Sequence, residues 1–210
     1  MNKGVTLGMS SLNSRQHYKL LLHILLGLTP FLILGLILIG IFRWGEIMPF
    51  MVSLFVPDEI SYLSVTLLGL IVGTTIVLIS IGLIIKTNTE LPPSQGAEMI
   101  NKLLKTPSGI AVSSLGGSFF EEFFFRGVLI GLFIGYSPII DGVVILISSF
   151  LFWIIHVPQY KGIYVAYAIV FINGLVCALL FYYTGSLIPA ILVHAIYNLG
   201  IGIYFIKRSY

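Results

Sequence analysis

Charge is scarce in this sequence. Only 9% of its 210 residues are Asp, Glu, Lys or Arg, against 58% that are hydrophobic, whereas a soluble domain carries about 25% charged residues to coat its surface. An ordinary water-soluble globular domain is therefore excluded, and lipid has to cover most of the chain. Basic clusters are missing as well. The 11 Lys and Arg and 8 Asp and Glu are scattered, with no basic tract interleaved with aromatics, which excludes nucleic acid as a partner. A single cysteine, Cys177, rules out an internal disulfide and a cysteine-rich zinc site, and reads as a small apolar residue inside a helix. No internal repeat or low-complexity tract divides the chain.

What is present is a set of long apolar runs. Charges, prolines and glycines cut the sequence into six, at 20–42, 60–85, roughly 110–133, 139–157, 163–183 and 187–206. Each is close to the ~20 residues a helix needs to cross the hydrocarbon core. The runs are uniformly apolar and do not alternate with period two, so they predict helices and not barrel strands. The expected fold class is all-α, a polytopic membrane helix bundle of about six transmembrane helices. The expected partition is an N-terminal tail, 1–19, and one transmembrane domain, 20–206. The first run follows Lys3, Arg15 and Lys19 as a secretory signal would, but its 23 residues exceed an apolar signal core of about 7–15. It is expected to persist as an anchor, kinked at Pro30.

Lys and Arg favour cytoplasmic loops. With six spans, nine of them fall on one side: Lys3, Arg15, Lys19, Lys86, Lys102, Lys105, Lys161, Lys207 and Arg208. Arg43 alone falls on the other side, and Arg126 lies within a span. Both termini are thus expected in the cytoplasm. The one long connector, 86–109, opens with Leu91-Pro92-Pro93-Ser94. Its continuation, 95–105, reads either as an interfacial helix with Met99, Ile100, Leu103 and Leu104 on one face or as a solvated segment.

Against this apolar background three polar clusters stand out. They are Glu121-Glu122 with Arg126 among five phenylalanines, Phe152 with His156, and His194 with Asn198. An ionisable group at a helix centre in a bilayer costs at least ~2.5 kcal/mol and so needs a partner or a function. Residues four apart share a helical face while neighbours diverge by about 100°. Glu122 therefore faces Arg126 as a structural pair, and Glu121 has no partner on its own helix. The same spacing puts Phe152 beside His156, where the phenylalanine reads as packing, and His194 beside Asn198.

Two histidines and one free glutamate, converging in a bundle, can do acid–base work on a water or hold a metal with an open position. Asn198 and a histidine can instead donate to an oxyanion. A lone intramembrane His or Asn is often only interhelical glue. Three separate spans contributing polar groups, while the first two contribute almost none, favour a shared site. For Glu121 and His156 to lie level, the stretch Ser113-Ser114-Leu115-Gly116-Gly117-Ser118 is expected to be a loop or re-entrant segment, with the helix proper starting near Phe119. His194 is expected to lie deeper.

Glu121-Glu122-x-x-x-Arg126, Phe152-x-x-x-His156 and His194-x-x-x-Asn198, in this order, resemble the three motifs of the CPBP family. That family comprises CAAX-type prenyl-protein proteases and bacteriocin-processing, or Abi, intramembrane proteases. The stretch 182–191, Tyr-Tyr-Thr-Gly-Ser-Leu-Ile-Pro-Ala-Ile, also looks like the segment before the family's last motif. The resemblance covers about 118–200 and implies a protease-like core at 110–206. It implies an intramembrane endopeptidase in which Glu121 and His156 activate a water while His194 and Asn198 stabilise the oxyanion. No cofactor is then required. The alternative is zinc, held by Glu121, His156 and His194. The implied partners are a peptide or protein substrate and the lipid bilayer, and the implied location is a bacterial plasma membrane. Leader-peptide processing or bacteriocin self-immunity fits as the biological setting.

Other chemistries are less well served. The one cysteine lies outside the clusters and no serine stands at motif spacing from a histidine, which disfavours a covalent nucleophile. His-Glu-x-x-His, with two ligands on one helical face, is absent. The rival from another class is a non-catalytic membrane scaffold or self-immunity factor. A proton pathway is a third, weakened by the absence of a repeat.

Overall fold

The computed structural model describes residues 14–90, 106–160 and 162–208, and among them all regular structure is helical. Seven helices follow in order: α1 (Ser14–Phe42), α2 (Ile47–Ser53), α3 (Tyr62–Lys86), α4 (107–128), α5 (Pro138–His156), α6 (Tyr164–Thr184) and α7 (Leu187–Arg208). Five of them, α1, α3, α5 with its continuation to Tyr160, α6 and α7, are long and apolar enough to cross a bilayer. The chain is an integral membrane protein. Large apolar side chains such as Leu22, Ile33, Ile37, Ile71, Leu78 and Ile147 face outward, as lipid contact requires. The possible interfacial helix at 95–105 lies outside the described residues.

The third expected run, roughly 110–133, is the one that differs. α4 is a continuous helical rod built of four segments with alternating hydrogen-bond patterns: Pro107–Ile110 is α-helical, Ala111–Gly116 is π, Gly117–Glu122 is α and Phe123–Val128 is π. The expected loop at 113–118 is therefore helix. Its start is set by Thr106, whose side chain accepts from the Gly109 N–H, and by Pro107 in the first turn. Serine hydroxyls that would draw the chain into a turn bond back to it instead, Ser113 to the Gly109 carbonyl and Ser118 to the Ser114 carbonyl, both at 2.6 Å. Wide π turns leave carbonyls spare, and one of them, on Phe125, accepts from the Ser148 hydroxyl of α5 at 2.5 Å.

α4 packs against α1, α5, α6 and α7, so its charged groups are enclosed by protein. Phe123, Phe125, Arg126 and Val128 are all buried. α3 lies along α7, and two glycines permit it. A Cβ on Gly69 would stand 2.9 Å from the Pro189 Cα, and one on Gly73 would stand 3.0 Å from the Val193 Cα. α2 is too short to have left a sequence signal. Leu54, just after it, is buried against the α6–α7 corner, where the Leu187 N–H donates to its carbonyl at 2.8 Å.

Candidate active site

The three clusters meet around α4. Glu122 and Arg126, both fully buried, pair at 2.9 Å between Oε1 and Nη1. Arg126 also donates from Nη2 to the Gly174 carbonyl of α6 at 2.7 Å, and its guanidinium lies 4.4 Å from the centroid of Phe152. α4 is thereby fastened to α5 and α6 through one cation. The same Glu122 Oε1 accepts from His194 Nδ1 at 2.7 Å. Glu122 thus has a second partner that helical spacing could not reveal.

Glu121 points elsewhere, as the 100° step between neighbours requires. Its Oε2 lies 3.6 Å from His156 Nε2 and 3.9 Å from His194 Nε2, and this buried oxygen accepts no hydrogen bond among the described residues. Both imidazoles are held from behind. His156 Nδ1 donates to the Phe152 carbonyl at 2.7 Å, and a carbonyl can only accept. His194 Nδ1 donates to a carboxylate already committed to Arg126. In their neutral forms, then, both rings turn an Nε2 lone pair towards the same Glu121 oxygen.

Glu121 and His156 come together by a route other than the expected one. Glu121 sits well inside α4, not near a helix start, and His156 is the last residue of α5. Side chains on a helix point back towards its N-terminus. The His156 ring folds down over Phe152, ring centroids 4.6 Å apart, and Phe152 meets His194 edge-on at 5.5 Å. Phe152 is packing, as expected, but it is the packing that sets both rings.

Asn198 lies one turn beyond His194 and donates from Nδ2 to the Ser118 hydroxyl at 3.3 Å. Ser118, Gly174 and the buried Asn173 on α6, whose Oδ1 finds no partner among the described residues, were not legible in the sequence. Each is an ordinary residue type whose importance comes only from which helix faces it.

As a donor set for a cation, Glu121 Oε2 and the two Nε2 atoms are chemically suitable. Their separations of 3.6 and 3.9 Å exceed the ~3.3 Å edge of a tetrahedron with ~2.05 Å bonds. Among the described residues, no group of three or more His, Cys, Asp or Glu is placed to hold a metal ion.

Residues 104–200 match the family model described as Type II CAAX prenyl endopeptidase Rce1-like. No curated protein and no solved structure matches the chain. The matched segment contains α4 to α7 up to the turn after Asn198, and with it every residue of the three clusters. Over residues 104–200, a little under half of its length, the chain is similar to the Rce1-like type II CAAX prenyl endopeptidases.

Proposed function

We propose that the protein hydrolyses a peptide bond of a peptide or protein at the membrane, using a water activated by Glu121 and His156. The observation that carries this reading is the approach of the Glu121 carboxylate to His156 Nε2 and His194 Nε2, with both Nδ1 atoms tied back. A gap of 3.6 Å is too long for a direct hydrogen bond and leaves both groups free to share a water. Glu121 takes the proton as the water oxygen attacks the scissile carbonyl, and His156 orients that water through its Nε2 lone pair. The proton then passes to the leaving amine.

The oxyanion is served by Asn198 and His194. With its Nδ1–H committed to Glu122, His194 serves the oxyanion from Nε2 when that nitrogen carries a proton. Glu122 and Arg126 act as the structural pair that carries this arrangement.

Both termini lie in the cytoplasm on this reading, and the membrane is a bacterial plasma membrane. The substrate is a leader-bearing or C-terminally processed peptide. Comparing the membrane peptidomes of cells that make the wild type or Glu121→Ala tests the activity. New peptide ends that depend on Glu121, at equal protein abundance, support it. An unchanged peptidome with the cellular phenotype retained favours a scaffold or self-immunity factor.

Zinc on Glu121, His156 and His194 is the second reading, favoured by the convergence of two imidazole lone pairs and a carboxylate. Exhaustive chelation in detergent, with metal analysis, separates the two. Cleavage that survives chelation supports metal-independent water activation. Stoichiometric zinc whose removal ends cleavage and whose return restores it overturns that assignment.

A further inference from the structure

α4 and α7 run antiparallel, and they are joined by two polar rungs. One is Glu122 to His194. The other is Ser118 to Asn198, four residues earlier on α4 and four later on α7. The spacing places the rungs one helical turn apart on the facing sides of both helices. The first rung fixes the orientation of an imidazole. The second does the equivalent for an amide.

Ser118 is fully buried, and its hydroxyl proton is committed to the Ser114 carbonyl at 2.6 Å. Its longer contact, 3.3 Å to Asn198, must therefore be one in which the serine oxygen accepts. Only the amide nitrogen of Asn198 can satisfy it, which fixes which way the amide is turned. A primary amide has two N–H groups. One is consumed by Ser118, and the second points away from it.

We infer that Ser118 is a positioning residue for Asn198: its back-bonded hydroxyl holds one amide N–H so that the other is presented to the oxyanion of the hydrolysed peptide. The inference rests on the reading of Asn198 as an oxyanion donor, and it adds a residue that none of the three motifs contains. It also gives the α-helical stretch between the two π segments a task. Gly117–Glu122 is the part of α4 where residues four apart stay in register, so both rungs are built on it.

The test has two arms. In full-length protein in detergent, labelled with ¹⁵N-asparagine, the side-chain amide pair of Asn198 is identified by its loss in Asn198→Ala. Ser118→Ala should shift this pair and bring its two protons closer to equivalence, with thermal stability near wild type. With a quenched fluorescent peptide spanning a cleavage site found in the peptidome comparison, Ser118→Ala should lower kcat about tenfold, the size of one neutral hydrogen bond, and leave KM unchanged. Asn198→Ala should cost about 10²–10³-fold, and Ser118→Ala should add nothing to it. An unmoved amide pair, or a Ser118→Ala loss that multiplies in full upon that of Asn198→Ala, would overturn the inference. If Asn198→Ala itself cleaves at the wild-type rate, the oxyanion reading fails, while the amide signal still reports whether Ser118 holds Asn198.

Discussion

Replacing Glu122 with glutamine keeps the side chain's shape and removes its charge. The amide introduced by Glu122→Gln would still offer its oxygen to Arg126 and to His194, so the change isolates electrostatics from packing. Arg126 is fully buried, with Glu122 as its ion-pair partner and the Gly174 carbonyl as its other acceptor. Leaving such a charge uncompensated costs about 3–5 kcal/mol. For a protein of this length each kcal/mol shifts the melting temperature by about 2–4 °C, so the expected loss is ~6–20 °C. Differential scanning fluorimetry of purified protein in detergent measures it, with immunoblots of membranes reporting accumulation. Glu121→Gln, measured alongside, should melt close to wild type, because the Glu121 Oε2 that faces the histidines has no bond to lose. Arg126→Met added to Glu122→Gln should recover part of the loss, since no buried charge then remains. Wild-type melting and abundance for Glu122→Gln with no cleavage, together with an active Glu121→Gln, would show that the two acids have been assigned in reverse.

Two further outcomes follow from the geometry. Gly174→Ala would place a Cβ 2.9 Å from Phe152 Cδ1 and 3.4 Å from Arg126 Nη2, an overpacking worth about 1–3 kcal/mol. It should lower both the melting temperature and the cleavage rate, because Phe152 seats both histidines, and unchanged values of both would refute that role. Topology reporters fused at Asp58 and at Gln95 should report opposite sides of the membrane, from the partition of Lys and Arg among the loops. The same side at both positions would remove α3 as a span.

The spans α1, α3, α5, α6 and α7 were legible because a bilayer leaves uniform hydropathy as the dominant local signal, and their ends fall within two residues of the expected ones except at the start of α1, which begins at Ser14 and takes Arg15 and Lys19 into the helix. α2 was not legible, since seven residues between two turns carry too little periodicity to register. In α4 the signal misled for a physical reason. A serine and glycine stretch looks like a loop when read locally, but within the bundle the hydroxyls of Ser113 and Ser118 donate to the helix's own carbonyls. The site shows the same division. Spacing of four within one helix revealed Glu122 with Arg126 and set Glu121 apart. The Glu122–His194 and Ser118–Asn198 rungs join residues 72 and 80 positions apart, and no single-helix pattern contains that information.

In the proposed mechanism Glu121 carries the proton transfer while contributing little to the fold. Purified wild type and Glu121→Gln, reconstituted in liposomes and matched for melting temperature, should be compared on one peptide that the wild type cleaves. A lost general base typically costs about 10²–10⁴-fold, so the variant's rate should fall by at least about 10² with its stability intact. Cleavage by Glu121→Gln within a few-fold of wild type would rule out Glu121 as the general base.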